Sequence, residues 1–356
     1  MKRKPRHAIF LACHIGCVVF ALTGVVIAAE ESEPASEAIR AAVVKALPLL
    51  ETGAKGSMEH RKQCFTCHNQ GLAIMALTTA QARGLAVDAQ HLHEQLQFTA
   101  DFLAKNKQRY LEGQGQGGQA DTAGYALWTL DNGGWKPDET TAAVAEYLLR
   151  FQSDDDHWTP ASRRPPSEQS LFTSSYVALR GLKTFGTAEQ RERIDARIER
   201  VRPWLLKNLP VDTEDRVFRL RALHAVAAPP AEIAAACEEL QTSQRDDGGW
   251  SQLADLDSDA YATGSALVAL HQDGGLATDS PIYRKGLGYL MATQQSDGSW
   301  HVISRSDPFQ TYFESGYPHG KDQFISIAAA GWATTALALA LPKTLVENPP
   351  AAETKD

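Results

Sequence analysis

Apolar positions along residues 35–342 recur at helical spacing, and the strict alternation of a half-buried strand is nearly absent. Six stretches, 69–85, 121–130, 170–182, 212–226, 259–270 and 325–341, are mostly rich in Ala, Gly, Leu and Tyr and poor in charge. A helix that is apolar nearly all round must be buried on most faces, so these stretches predict an inner layer. Between them run more highly charged helical segments such as 191–202, which suit an outer layer. Asn132-Gly133-Gly134, Asp247-Gly248-Gly249 and Asp273-Gly274-Gly275 supply glycine where a helix closes in a left-handed turn. Six inner and about six outer helices predict an all-α fold, a closed (α/α)6 toroid of helical hairpins.

A repeat sits on the outer segments. Tyr289, Leu290, Gln294, Gly298 and Trp300 define it best; Leu240, Gln244, Gly248 and Trp250 fall in the same slots fifty residues earlier. Tyr147, Leu148, Gln152 and Trp158 do so again, with Asp156 in the glycine slot. The unit Lys285-Gly286-x-x-Tyr289-Leu290-x-x-x-Gln294-x-x-x-Gly298-x-Trp300 resembles the QW repeat of squalene–hopene cyclases and related triterpene cyclases, whose toroid protein prenyltransferase β subunits share. The resemblance spans roughly residues 60–342. It implies the toroid, with Gln and Trp bracing the ends of outer helices, and an isoprenoid or other apolar ligand in its cavity. Fold analogy alone does not carry an activity.

The cyclases use a DxDD motif whose middle Asp is a carboxylic acid kept protonated by its surroundings. The nearest match is Asp255-Leu256-Asp257-Ser258-Asp259, with Ser in the fourth position, which makes Asp257 the candidate catalytic acid. The competing reading is that Ser258 or Asp259 caps the following helix while the other carboxylates are solvated. Zinc of the prenyltransferase kind finds no ligand set, because Cys237 falls on an outer, Ala-rich helix and reads as a buried small hydrophobe.

Cys64-Phe65-Thr66-Cys67-His68 does not belong to the fold. It reads C-x-x-C-H, the attachment signature of c-type haem. Two thiols add across the haem vinyl groups, and the adjacent imidazole becomes the proximal iron ligand. Composition alone would produce the pattern roughly 0.002 times in a chain of this length. The expectation is one covalent haem c on Cys64 and Cys67, with His68 on the iron; a redox disulfide or another metal site are the alternatives. His319, in Tyr317-Pro318-His319-Gly320 just before the sixth inner stretch, is the candidate distal ligand, because a closed ring makes the first and sixth hairpins neighbours.

The N-terminus agrees with haem attachment. Lys2, Arg3, Lys4 and Arg6 precede an apolar run from Ala8 to Ala28, with small residues at Ile27-Ala28-Ala29. This reads as a signal peptide over residues 1–29, hence export to the periplasm or beyond, with membrane attachment only if it stays uncleaved. Residues 30–55 read as a polar, helical lead-in, 56–342 as the toroid and 343–356 as a disordered tail. Formal charge is −8, and loss of those four cations without any anion leaves −12. Such an acidic chain excludes the nucleic-acid binders that gather phosphate with a basic field. It favours electron transfer or redox work with a partner protein over any nucleic-acid role.

Overall fold

The structure is a computed structural model and describes residues 32–343 apart from 63 and 308–310. The predicted signal peptide and most of the predicted tail therefore lie outside the described residues. Six hairpins succeed one another. The first pairs α1 (Ser32–His60) with α2 (Leu72–Gln81), and α2 is entered through a π-helical turn, Cys67–Gly71. The second pairs α3 (Ala89–Lys105), followed by the short α4 (Lys107–Leu111), with α5 (Gln119–Asn132). Then come α6 (Glu139–Arg150) with α7 (Leu171–Phe185), and α8 (Arg191–Lys207) with α9 (Thr213–Ala225). The last two are α10 (Pro230–Thr242) with α11 (Ala260–Gln272), and α12 (Pro281–Thr293) with α13 (Gln323–Leu339). A two-residue ribbon, β1 (Trp250–Ser251) against β2 (Ser258–Asp259), shapes the entry to α11.

The second member of each hairpin is one of the six charge-poor stretches, and these helices pack side by side into a closed inner ring, α2–α5–α7–α9–α11–α13 and back to α2. Residues 120–130 of α5 and 260–270 of α11 are buried without a break, which is why their sequences carry no polar face. The predicted toroid holds. Its start differs from expectation: residues 32–60 form one 29-residue outer helix that packs on α13 and closes the ring, so the toroid begins near residue 32 rather than 56. The polar character of that segment belongs to its solvent face, which in the linear sequence resembles a lead-in.

The repeat does what the resemblance implies. The indole N–H of Trp158, Trp250 and Trp300 donates to the carbonyls of Leu148, Leu240 and Leu290 at 3.2, 2.9 and 2.8 Å, meeting acceptors that a helix end leaves open. The Gln244 amide donates to Gly248 O and to Ile282 O of the next outer helix, both at 2.9 Å. The Gln294 amide donates to Gly298 O at 3.1 Å and to Ala42 O at 2.9 Å, tying the last hairpin to the first across 252 residues. Gly298 sits at φ +97° with a Cβ position only 2.4 Å from the Lys45 carbonyl oxygen, so both its backbone angle and its lack of a side chain are used.

All inner helices start at one end, the mouth. Their axial side chains fill the lumen below it. Trp128 of α5, Tyr176 of α7, Phe218 of α9 and Trp332 of α13 meet across the axis, with ring centroids 5.5–6.5 Å apart. Arg221, 1% exposed, lies 4.8–5.6 Å from the rings of Tyr176, Trp128 and Trp332 and pairs with Asp273 at 3.0 Å.

Candidate functional site

The π-helical turn that opens α2 sets the C-x-x-C-H residues at the mouth. It is pinned by its own amides: Thr66 N and Oγ1 both donate to Gln70 Oε1 at 2.8 and 2.7 Å, and Gln70 Nε2 donates to Gln95 Oε1 at 2.8 Å. Asn69 Nδ2 donates to Ser57 Oγ at 2.8 Å, anchoring the turn to α1. One-turn π segments of this kind concentrate at functional positions. The two thiols are free, Cys64 half-buried and Cys67 buried with its Sγ 3.9 Å from Thr122 Oγ1. Burial, aided by the carboxylate of Glu168, pushes the Cys67 thiol well above its ordinary range, so it stays protonated at neutral pH.

His68 faces the segment 162–170 that precedes α7. Its Nε2 is hydrogen-bonded to Ser167 Oγ, its Nδ1 lies 3.9 Å from Glu168 Oε1, and its ring stands 5.8 Å from Tyr125. Burial lowers the His68 pKa; Glu168 pulls the other way and Arg164 adds to the lowering. The imidazole is thus held neutral, the form in which it ligates a metal. Glu168, 5% exposed, is in turn paired with Arg164 and Ser162. A carboxylate behind the imidazole is the usual outer partner of a metal-bound His. The donor set of Cys64, Cys67 and His68 therefore suits haem c, whereas Ser167 stands on the nitrogen that would take the iron.

Beneath the turn lies a cluster around Glu214, an acid that sequence reasoning missed. Glu214 of α9, Tyr125 of α5, Tyr261 of α11 and Trp332 of α13 converge with exposures of 3% or less. Glu214 Oε1 accepts from Thr173 Oγ1 at 2.8 Å. Its Oε2, both tyrosine hydroxyls and the Trp332 N–H complete no hydrogen bond of good geometry, although the Tyr261 hydroxyl approaches the carboxyl closely enough to lower its pKa. Burial raises Glu214 to about 8 against the stabilising hydrogen bond from Thr173, so this acid is protonated at neutral pH. Asp121 at the mouth, 2% exposed and accepting from Ser174 Oγ and from Ala161 N at 3.2 Å, is raised by burial to about 7. In the sequence both acids lie in the first turns of inner helices, where a helix cap is the ordinary reading; only depth in the ring sets them apart.

Two sequence candidates are placed elsewhere. Asp257 is exposed on the turn between β1 and β2, outside the lumen. Its neighbour Asp259 caps α11, accepting from Ala262 N at 2.9 Å, in agreement with the competing reading. His319 is bonded through Nε2 to Ser299 Oγ at 2.9 Å and stacked on His301 at 4.5 Å. Ring closure does bring α13 beside α2, but the backbone at His319, φ +84°, turns its imidazole toward the preceding loop, and its contacts are with residues 299, 301 and 317. The described residues contain no group of three or more His, Cys, Asp or Glu arranged to hold a metal ion.

No protein-family profile and no curated protein sequence matches the chain. Solved structures do. A variant of the type II terpene cyclase MstE from Scytonema, in complex with the product merosterolic acid A, is 14% identical, covers 87% of this chain and 99% of its own, and has a TM-score of 0.55. The apo enzyme is 15% identical over the same shares with a TM-score of 0.53. A second variant, holding the substrate geranylgeranyl dihydroxybenzoate, is 13% identical with a TM-score of 0.55. The class this defines is a class of fold: an all-α, terpenoid-cyclase-like toroid. At this identity the likeness speaks for the fold alone.

Proposed function

We propose that the chain is an exported haem c protein built on a terpene-cyclase-like toroid, with haem attached through Cys64 and Cys67 and His68 as its axial ligand. The observation that carries this reading is the turn at the mouth: two unjoined thiols and a neutral, carboxylate-backed imidazole on one pinned segment. Haem bound there would supply one-electron transfer. The chain's own residues surround the imidazole: Ser167 Oγ is bonded to Nε2, and Glu168, itself held by Arg164 and Ser162, lies 3.9 Å from Nδ1. Export is part of the proposal, because the covalent attachment is made outside the cytoplasm. The filled axis below the mouth supports a binding role at the mouth rather than passage of a long prenyl chain.

The test is a pyridine haemochrome spectrum, with a haem-stained denaturing gel, on protein made in a periplasm competent for cytochrome c maturation. One covalent haem is expected, absent from Cys64→Ser/Cys67→Ser. A chain that leaves that host without haem refutes the reading.

A second reading rests on Glu214. A protonated carboxyl among tyrosine and tryptophan rings is the arrangement of a Brønsted acid toward an alkene or epoxide, which favours a terpenoid cyclase-like enzyme or an apolar-ligand binder. Turnover of a C20 or C30 polyprene lost in Glu214→Gln and retained in Asp257→Asn would establish it; copurified lipid without turnover would leave binding alone.

A further inference from the structure

Eight large hydrophobic side chains stand exposed among the described residues, and only Val44, on α1, lies away from the segments that feed the inner helices. Single exposed hydrophobics need no explanation, but their concentration at one end of a molecule does. The three most exposed belong to the sector of the mouth in front of α9, α11 and α13, Leu209 at 77%, Val211 at 83% and Ile303 at 70%, and Leu256 on the turn before α11 is exposed to a lesser degree. Their loops are fixed to one another. Thr213 Oγ1 donates to Ser251 O at 2.6 Å, and Arg305 Nε donates to Gln252 Oε1 at 2.8 Å, so the patch exists before anything binds.

Carboxylates rim this sector. Asp255 and Asp257 are exposed on either side of Leu256, and Asp246 and Asp247 are exposed at the other end of the same loop. The nearby arginines are turned to internal acceptors, Arg245 to Ala254 O at 2.8 Å and Arg305 to Gln252. Lys207 at the end of α8, Arg163 on the loop whose Pro165 O accepts from Ser306 Oγ, and Lys321 before α13 are exposed cations at its edge, outnumbered by the exposed carboxylates of Asp246, Asp247, Asp255, Asp257 and Asp307. We infer that this sector docks a soluble protein whose contact face has an apolar centre rimmed by Lys and Arg. Association of this form is steered by charge and released quickly, as befits a transient partner. Anionic lipid headgroups are repelled by carboxylates set among the aliphatic side chains, and a second copy of the chain would bring like charge to like.

Docking at this sector does not depend on the haem. Its test places the photo-crosslinker p-benzoylphenylalanine at Val211 and, separately, at Ile303 of the full chain in the cells it comes from, with adducts identified by mass spectrometry. Both positions are expected to capture the same protein through peptides rich in Lys or Arg. Asp255→Asn/Asp257→Asn is expected to cut the yield about five-fold, as is raising salt from about 20 to about 200 mM in an extract. Cys64→Ser/Cys67→Ser should leave it unchanged, which separates this docking from the haem reading. Adducts to lipid, to a second copy, to different proteins at the two positions, to a protein whose capture ignores Asp255 and Asp257, or no adducts at all, each overturn it.

Discussion

Replacing Glu214 by Gln keeps the shape of the side chain and the acceptor for Thr173, and removes only its titration. The folded chain holds the Glu214 proton up to about pH 8, whereas an unfolded chain releases it near the ordinary value of 4.5. Between those two values the folded state binds more protons than the unfolded state, so stability falls as pH rises. The fall is at most about 1.4 kcal/mol per pH unit, and it accumulates to a ceiling of about 4–5 kcal/mol by pH 8. Below pH 4.5 both states are protonated and above pH 8 both are ionised, so the loss is confined to that window. The assay is urea unfolding of the wild type and Glu214→Gln at intervals from pH 5 to pH 9, read by far-ultraviolet circular dichroism. The variant is expected to lose several kcal/mol less than the wild type across the range, and to be the more stable of the two at pH 9. Parallel pH profiles would refute the claim that this carboxyl is neutral in the fold. An infrared band of a protonated carboxyl at pH 7, absent from the variant, checks the same point without unfolding.

Other consequences are independent of that acid. Gln294→Leu removes the hydrogen bond to Ala42 O that ties the last hairpin to the first and the bond to Gly298 O within the last hairpin, at a cost of about 1–2 kcal/mol in thermal or urea unfolding. Gly298→Ala meets both a left-handed φ and the Lys45 carbonyl, and should lower stability by about 2 kcal/mol or more. Arg221→Met leaves Asp273 without its buried partner while keeping the side-chain volume in the aromatic box, and is expected to cost about 3–5 kcal/mol, less if His224 takes over the carboxylate. In protein made without haem, the buried, protonated Cys67 should alkylate with iodoacetamide at pH 8 far more slowly than the half-exposed Cys64, as peptide mass spectrometry would report.

The ring is written in the linear order of residues. Six charge-poor helices can be satisfied only by burial on most faces, and a Gln-Trp unit that braces outer helix ends fixes how the second layer is attached; the structure has both, down to the indole bonds at Trp158, Trp250 and Trp300. The place of Cys64, Cys67 and His68 at the mouth was legible too, since they directly precede the first inner stretch. Features set by distance across the ring were not legible. Asp257 and Glu214 are both acids near inner-helix starts, and their linear surroundings rank Asp257 first; depth in the closed ring reverses the order, because burial, not spacing, keeps a carboxyl protonated. His319 and His68 lie on neighbouring hairpins as expected, yet one left-handed residue aims the His319 ring elsewhere. The partners of His68, Ser167 and Glu168, arrive from a loop about a hundred residues away. Folding alone brings them to the imidazole, because no local pattern encodes where a loop crosses a mouth that six separate helices must first build.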